Sequence, residues 1–303
     1  MLELTNHCNL ACTTCPREYN YGKAMDKGNM TVQHAKAIID EVWPYLDSIG
    51  LTGMGETFLY KDIEEIVDYV KQKNKGIIIS VSTNAVLPDF IQKVSKIIGK
   101  IDTIQISIDG LESVYESIRH NASFETLDKN IHQLANICQG TTTTLMLNMV
   151  LTKENYFQMA ELAKYADKTG IKYLDFSQLN LAAVTDIETS YYKFYHSKEF
   201  LNAIEELEKI IEASLNVTIT YNFKTDTGFQ KCPFPWSHFY VCWDGFIAPC
   251  CAKPFPKELN FGNVFNEKLI DILNSEDYQN FRERWFNNET PEFCKKCHFT
   301  SIQ

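Results

Sequence analysis

Strand-length apolar runs and amphipathic stretches take turns through the first two thirds of the chain. Ile77-Ile78-Ile79-Ser80-Val81-Ser82, Thr103–Ile108, Thr144–Leu151 and Lys172–Ser177 are short blocks rich in branched residues, the signature of buried strands. Leu2-Glu3-Leu4-Thr5 and Ser48–Thr52 predict two more strands ahead of them. The intervening segments repeat apolar residues at helical spacing: Asp62–Lys73 sets Ile63, Ile66, Val67 and Val70 on one face. Thr31–Tyr45, with Thr31 as N-cap, Asp89–Ile98, Phe124–Ile137 and Tyr156–Lys168 read as further helices.

Repeated βα units favour a parallel sheet with helices packed outside it. Six units that close part-way make an α/β fold of the partial (β/α)6, TIM-like kind, whose working residues sit at the C-terminal ends of the strands. An open doubly wound sheet is the competing architecture. The pattern changes after a helix over Phe200–Ser214. Val217–Tyr221 reads as a strand, followed by short pieces rich in proline and aromatic residues. A boundary is therefore expected near residue 215, dividing the chain into 1–215 and 216–303. The second part looks too irregular to hold itself together without staples, which metal sites supply.

Composition narrows the function. Hydrophobic residues make up 45% and charged residues 22%, so a packed core is expected. A net charge of −10 and a pI near 5.2 argue against nucleic acid and against an anionic membrane surface, both of which ask for a basic face. No apolar run approaches the roughly 18–20 residues of a membrane span, and no secretory signal is seen, so a cytoplasmic protein is expected. Ten cysteines in a reducing compartment point to metal or redox chemistry rather than disulfides.

Their distribution says more than their number. Cys8, Cys12 and Cys15 lie at one end; Cys232, Cys242, Cys250, Cys251, Cys294 and Cys297 lie at the other, and only Cys138 falls between. Cys8-x3-Cys12-x2-Cys15 directly follows a strand. Three thiolates on one loop grip three irons of a cubane cluster and leave the fourth open to a substrate or cofactor. A structural zinc site normally needs a fourth protein ligand, for which His7 is poorly placed.

The motif TNHCNLACTTCPR after a first strand resembles the signature of the radical SAM enzymes. The resemblance implies that the open iron of a [4Fe–4S] cluster held by Cys8, Cys12 and Cys15 chelates S-adenosylmethionine (SAM). Reductive cleavage then gives a 5′-deoxyadenosyl radical that removes a substrate hydrogen. It also implies an electron donor such as flavodoxin or ferredoxin. Gly53-Met54-Gly55-Glu56-Thr57 is similar to the family's Gly-Gly-Glu-Pro stretch, which meets the SAM amino group. Its glycines are expected to permit close approach to that ligand. Ser82-Thr83-Asn84 closes the third strand, where the family often shows Thr-Asn-Gly. Ser107-Ile108-Asp109-Gly110 resembles the Ser-x-Asp-Gly that holds the SAM ribose, and Arg119 matches an arginine that pairs with the SAM carboxylate. Asn148 on the fifth strand is a lesser candidate.

The C-terminal cysteines form a second constellation: Cys232-x12-Gly245-x4-Cys250, then Cys294-x2-Cys297. Four thiolates suit zinc or a fully ligated iron–sulfur cluster, and spacing alone does not choose. The surrounding letters, CPFPWSHFYVCWDGFIAPCC, Gly262-Asn263, a helix carrying Arg282 and FCKKC, resemble the SPASM extension of radical SAM enzymes. With Gln303 six residues past Cys297, the shortened twitch form with one auxiliary [4Fe–4S] cluster is expected. Cys242, Cys251 and Cys138 read as packing residues, with an alternative ligand or a hydrogen-atom donor as the chemical reading of Cys251.

A radical SAM oxidoreductase is therefore expected, acting on a small-molecule or peptide substrate. The leading expectation is two-electron oxidation (dehydrogenation) of a small metabolite such as a sugar or aminocyclitol, the auxiliary cluster taking the electron left on the substrate radical. The alternatives are an epimerase in which Cys251 returns hydrogen to the opposite face, and modification of a ribosomally made peptide or protein side chain. Peptide-modifying relatives often carry an N-terminal leader-binding segment. The first strand here starts at Met1, which favours the small molecule. The non-enzyme alternative is a zinc-binding interaction module.

Overall fold

The computed structural model describes residues 1–184, 186–212, 215–221 and 231–298. Its centre is a six-stranded parallel sheet of β1 (Ser48–Gly50), β2 (Ile78–Thr83), β3 (Thr103–Ser107), β4 (Thr144–Leu151), β5 (Tyr173–Gln178) and β6 (Thr218–Tyr221). The strands lie side by side in chain order. That is how a barrel winds; a doubly wound sheet reverses direction at a switch point, and this one does not. The incomplete barrel is the architecture.

The principal helices between the strands are α1 (Val32–Val42), α2 (Ile63–Lys73), α3 (Phe90–Ser95), α4 (Glu112–Ile118), α5 (Phe124–Cys138), α6 (Met159–Thr169) and α7 (Lys198–Glu212). Thr31 caps α1 as its position predicts, its hydroxyl accepting from the His34 N–H at 3.1 Å. Ile63, Ile66, Val67 and Val70 of α2 are all buried. Helix α3 is shorter than predicted, α4 was not foreseen, and the last two residues of the predicted helix 200–214 lie outside the described residues.

Two strand expectations change. Leu2–Thr5 forms no ladder of its own; it is a seam. The Leu2 N–H donates to the Gly50 carbonyl at the end of β1 (2.9 Å), and on the other side the Glu3 N–H donates to Val241 (2.9 Å). The strand predicted at Val217–Tyr221, placed beyond the boundary near 215, pairs parallel with β5 and is the outermost strand of the sheet.

The two faces of the sheet differ because strand side chains alternate. Ile79, Val81, Ile104, Ile106, Leu145, Leu147, Leu174 and Phe176 are buried in the main core. Ser80, Ser82, Gln105, Ser107, Asp175 and Ser177 alternate with them and are only half-buried. That second face is polar, unlike the filled interior of a complete eight-stranded barrel.

Past β6 come a helical turn (Phe234–Ser237), a hairpin pairing Tyr240–Val241 with Ile247–Ala248, and helices α8 (Leu269–Leu273) and α9 (Glu276–Phe286). Leu269, Ile272, Tyr278 and Trp285 join the same apolar core as the barrel. Among the described residues no helix is long and apolar enough to cross a membrane.

Candidate active site with two thiol centres

Cys8, Cys12 and Cys15 lie on the loop that leaves the N-terminal seam. The loop is tightened by a Cys15 N–H to Cys12 carbonyl bond (3.1 Å), and Ala11–Cys12 pairs with Arg119–His120 in a short antiparallel ladder. The Leu10 N–H points at the Cys8 sulfur (3.5 Å) and the Asn84 amide nitrogen lies 3.9 Å from it. Burial pushes the Cys12 thiol up to about 12, with Arg119 pulling the other way. Thiols held neutral by burial give up their protons only to a metal, so metal binding here is proton release.

The turn over Gly53–Thr57 packs on this loop. A Cβ at Gly55 would come within 2.5 Å of the His7 carbonyl oxygen, and one at Gly53 within 2.3 Å of Glu3 Cγ. On the side a Cβ would take, the space these glycines leave is filled by the chain's own N-terminal segment. Glu56 is 2% exposed. It accepts hydrogen bonds from the Thr83 hydroxyl (2.7 Å), the Asn84 N–H (2.7 Å) and the Phe58 N–H (3.1 Å). Burial raises its pKa against those bonds. Thr57 donates its hydroxyl to the Leu51 carbonyl (3.1 Å) and holds the turn rather than facing outward. Ser82 donates its N–H to Thr52 (2.9 Å), and Asn84 donates its amide to Asn9 Oδ1 (2.9 Å) on the cysteine loop.

Asp109 is engaged within the chain. It is fully buried; one oxygen accepts from the Val150 N–H (2.9 Å) and the other faces the Arg119 guanidinium (2.9 Å). Arg119 Nη1 also lies 4.0 Å from the Cys12 sulfur, while its buried Nε has no hydrogen-bond partner among the described residues. Burial opposes the charge, but Asp109 and Cys12 hold the guanidinium protonated. A buried, aimed and partly unpaired cation beside Cys12 suits an anionic ligand such as a carboxylate. Ser107 ends β3 one rung beyond Ile106 and opposite Asn148.

At the other end, Cys232, Cys250, Cys294 and Cys297 line one cavity, together with Asn180 and Lys253. Burial pushes Cys232 up to about 11 and Cys250 up to about 12. The Asn180 amide nitrogen lies 3.7 Å from the Cys297 sulfur, just past the end of β5. Lys253, buried and paired with Glu258, donates to the Phe293 carbonyl (3.0 Å) next to Cys294. The kinds of donor suit the two expected groups, three thiols on one loop and four around one cavity, although among the described residues no three His, Cys, Asp or Glu side chains already stand close enough to hold a metal ion. Cys251 stays outside that cavity. It packs with Met1 beside Tyr240, Cys242 and Ala248, and burial raises its pKa. Cys242 is 1% exposed and Cys138 is core, as expected.

The profile of the radical SAM superfamily matches residues 2–166. The chain belongs to the radical SAM superfamily. A second profile, the SPASM iron-sulfur cluster-binding domain, matches residues 232–298. As a radical SAM protein with a SPASM domain, it binds [4Fe–4S] clusters and SAM, and the zinc-binding interaction module is set aside. It is 29% identical over 303 residues to the tungsten-containing aldehyde ferredoxin oxidoreductase cofactor-modifying protein of Pyrococcus furiosus, covering 93% of this chain and 82% of that protein. It is 23% identical to the antilisterial bacteriocin subtilosin biosynthesis protein AlbA of Bacillus subtilis, covering 97% of this chain and 62% of the relative. Among solved structures it shares its fold with Streptococcus suis SuiB bound to the precursor peptide SuiA (TM-score 0.72, 17% identity, 99% of this chain and 69% of that one).

Several residues at this radical SAM site carry no motif and escape sequence reasoning. Asp175 accepts from Asn148 Nδ2 (2.9 Å), Ser177 Oγ (2.6 Å) and Thr220 Oγ1 (2.6 Å) on the polar face of the sheet. Gln178, at the end of β5, has both side-chain polar atoms buried and unpaired. Glu3 is fully buried. The alternation of polar residues with Leu174 and Phe176 along β5 was the signal for Asp175 and Ser177; nothing local marks Glu3.

Proposed function

We propose that this radical SAM protein oxidises a C–H bond of a peptide substrate by two electrons. Cys8, Cys12 and Cys15 hold the SAM-binding cluster, and Cys232, Cys250, Cys294 and Cys297 hold one auxiliary cluster. The observation that carries the reading is the four-thiol cavity beside Asn180, at the strand ends where the barrel works. An electron acceptor so placed suits removal of the electron that hydrogen abstraction leaves behind. The names of the cofactor-modifying and bacteriocin-biosynthesis relatives favour a peptide or cofactor precursor over the sugar or aminocyclitol expected from the sequence.

When bound, the cluster and SAM together supply a 5′-deoxyadenosyl radical that takes a hydrogen atom from substrate. The chain's own residues do the rest. Asn84 and Glu56 brace the turn and the cysteine loop against each other, Arg119 offers its free Nε edge to a carboxylate, and Asp175 presents a carboxylate to the substrate's polar hydrogens. Ser82 and Ser107 stand on the same polar face as candidate SAM contacts. A flavodoxin or ferredoxin in the cytoplasm is the proposed reductant.

The test is anaerobic incubation with SAM, reductant and the peptides encoded beside the gene. A peptide lighter by two hydrogens, formed with one 5′-deoxyadenosine, is expected; deoxyadenosine with an unchanged peptide mass and solvent deuterium uptake indicates epimerisation instead.

A further inference from the structure

Glu3 sits fully buried among donors drawn from two distant parts of the chain. Its Oε1 accepts from the Met54 N–H at 2.7 Å and from the Tyr240 hydroxyl at 2.9 Å, and its Oε2 accepts from the Trp243 N–H at 3.2 Å. Met54 is the centre of the Gly53–Glu56 turn. Tyr240 and Trp243 belong to the hairpin that leads to Cys250. The described residues offer Glu3 no salt-bridge cation, so these three donors alone satisfy it. Gly53 is glycine for the same reason, since a Cβ there would overlap the Glu3 side chain at 2.3 Å.

We propose that Glu3 is the positioning residue that fixes the Gly53–Glu56 turn for SAM and ties that turn to the auxiliary-cluster hairpin. The inference rests on reading the turn as part of the SAM site. Every hydrogen-bond partner of Glu3 donates, which the carboxylate satisfies once ionised, above about pH 7, and an amide does not: a glutamine nitrogen would be forced against the Met54 or the Trp243 N–H. Distortion then passes directly to the turn, one residue from the Gly55 contact with the cysteine loop.

The experiment uses the anaerobically reconstituted holoenzyme and SAM as the probe. Glu3→Gln is expected to raise the dissociation constant and the KM for SAM roughly tenfold, the scale of one lost charge-assisted hydrogen bond, while kcat for dithionite-driven deoxyadenosine formation stays within about twofold. Iron content stays at the wild-type level. Tyr240→Phe is expected to shift SAM affinity in the same direction by a smaller factor, and the double variant to be no worse than Glu3→Gln alone. Hydrogen exchange separates the two layers. SAM protecting residues 53–57 in the wild type supports the reading of the turn, and faster exchange there in SAM-free Glu3→Gln supports the positioning role. Unprotected 53–57 with faster exchange in the variant overturns only the SAM reading. Wild-type exchange and SAM affinity in Glu3→Gln, or parallel loss of iron and kcat, overturns the proposal.

Discussion

The Arg119 guanidinium meets Asp109 Oδ2 at 2.9 Å, with Asp109 fully buried and the Arg119 side chain 11% exposed. Removing one partner of such a pair strands a charge. Asp109→Asn should therefore destabilise the apo protein by roughly 3–5 kcal/mol, the usual cost of an uncompensated buried charge. Thiolates around a bound cluster would offset part of that charge, because Arg119 also faces Cys12. The loss of melting temperature should thus be smaller in the iron-loaded protein than in the apo protein, and Arg119→Met combined with Asp109→Asn should recover most of it.

The two thiol centres should separate cleanly on substitution. Cys12→Ala is expected to abolish deoxyadenosine formation and lower iron from about eight to about four per chain, counting four per cluster. Cys294→Ala should lose a similar share of iron yet keep dithionite-driven SAM cleavage. Deoxyadenosine formation that persists in Cys12→Ala would sink the assignment of the N-terminal site.

Cys251 distinguishes oxidation from epimerisation. Its thiol sits beside Met1 outside the four-thiol cavity, and burial keeps it protonated, the state a hydrogen-atom donor requires. If the protein oxidises its substrate, Cys251→Ala should leave two-electron product per deoxyadenosine unchanged within about twofold, a shift inside the range of ordinary surface substitutions. Accumulation of an unquenched or damaged substrate in that variant, measured by mass spectrometry, would favour epimerisation.

Much of the fold was legible because it repeats. Each βα unit shows a branched apolar run and an amphipathic helix, so Thr144–Leu151 and the buried face of α2 were read directly from spacing. The two cysteine clusters were legible because metal donors are rare and closely spaced. The contacts of Glu3 and Asp109 were not legible, since they join segments far apart in sequence: Glu3 meets Met54 and Tyr240, and Asp109 meets Val150 and Arg119. Leu2–Thr5 misled for the same reason, because its partners lie on two sides and neither supplies a full ladder.

Glu3 also predicts a pH dependence of stability. Burial raises its pKa from 4.5 to about 7, against hydrogen bonds from Met54, Trp243 and Tyr240, with Asp244 adding to the rise and Cys242 also nearby. The folded state therefore holds a proton that the unfolded chain has released between about 4.5 and 7. Stability should fall as pH rises through that window and level off above it, by roughly 3 kcal/mol at most. Denaturant titrations from pH 5.5 to 8 should show the decline in the wild type and a flatter profile in Glu3→Gln.

Asp175 carries the last prediction. Adjacent strands align Ser107 with Asn148, Asn148 with Asp175 and Asp175 with Thr220, so the carboxylate stands level with Ser107 at the working end of the sheet. The register of β2 on β3 pairs Thr83 with Ile106, which brings Asn84, the neighbour of Cys8, to the same height. A carboxylate held by three neutral donors still has lone pairs left for a substrate N–H or O–H. Once a hydrogen atom has been taken from the substrate, the proposed two-electron oxidation still has one electron and one proton to lose, and Asp175 is the candidate to accept the proton. Asp175→Asn should leave substrate-free SAM cleavage within about twofold and cost about 1 kcal/mol of stability, as one partly exposed hydrogen bond does. Oxidised product per deoxyadenosine should fall by roughly a hundredfold or more, the range of a lost general base. An unchanged ratio of product to deoxyadenosine would place Asp175 away from the reacting group, whatever the substrate proves to be.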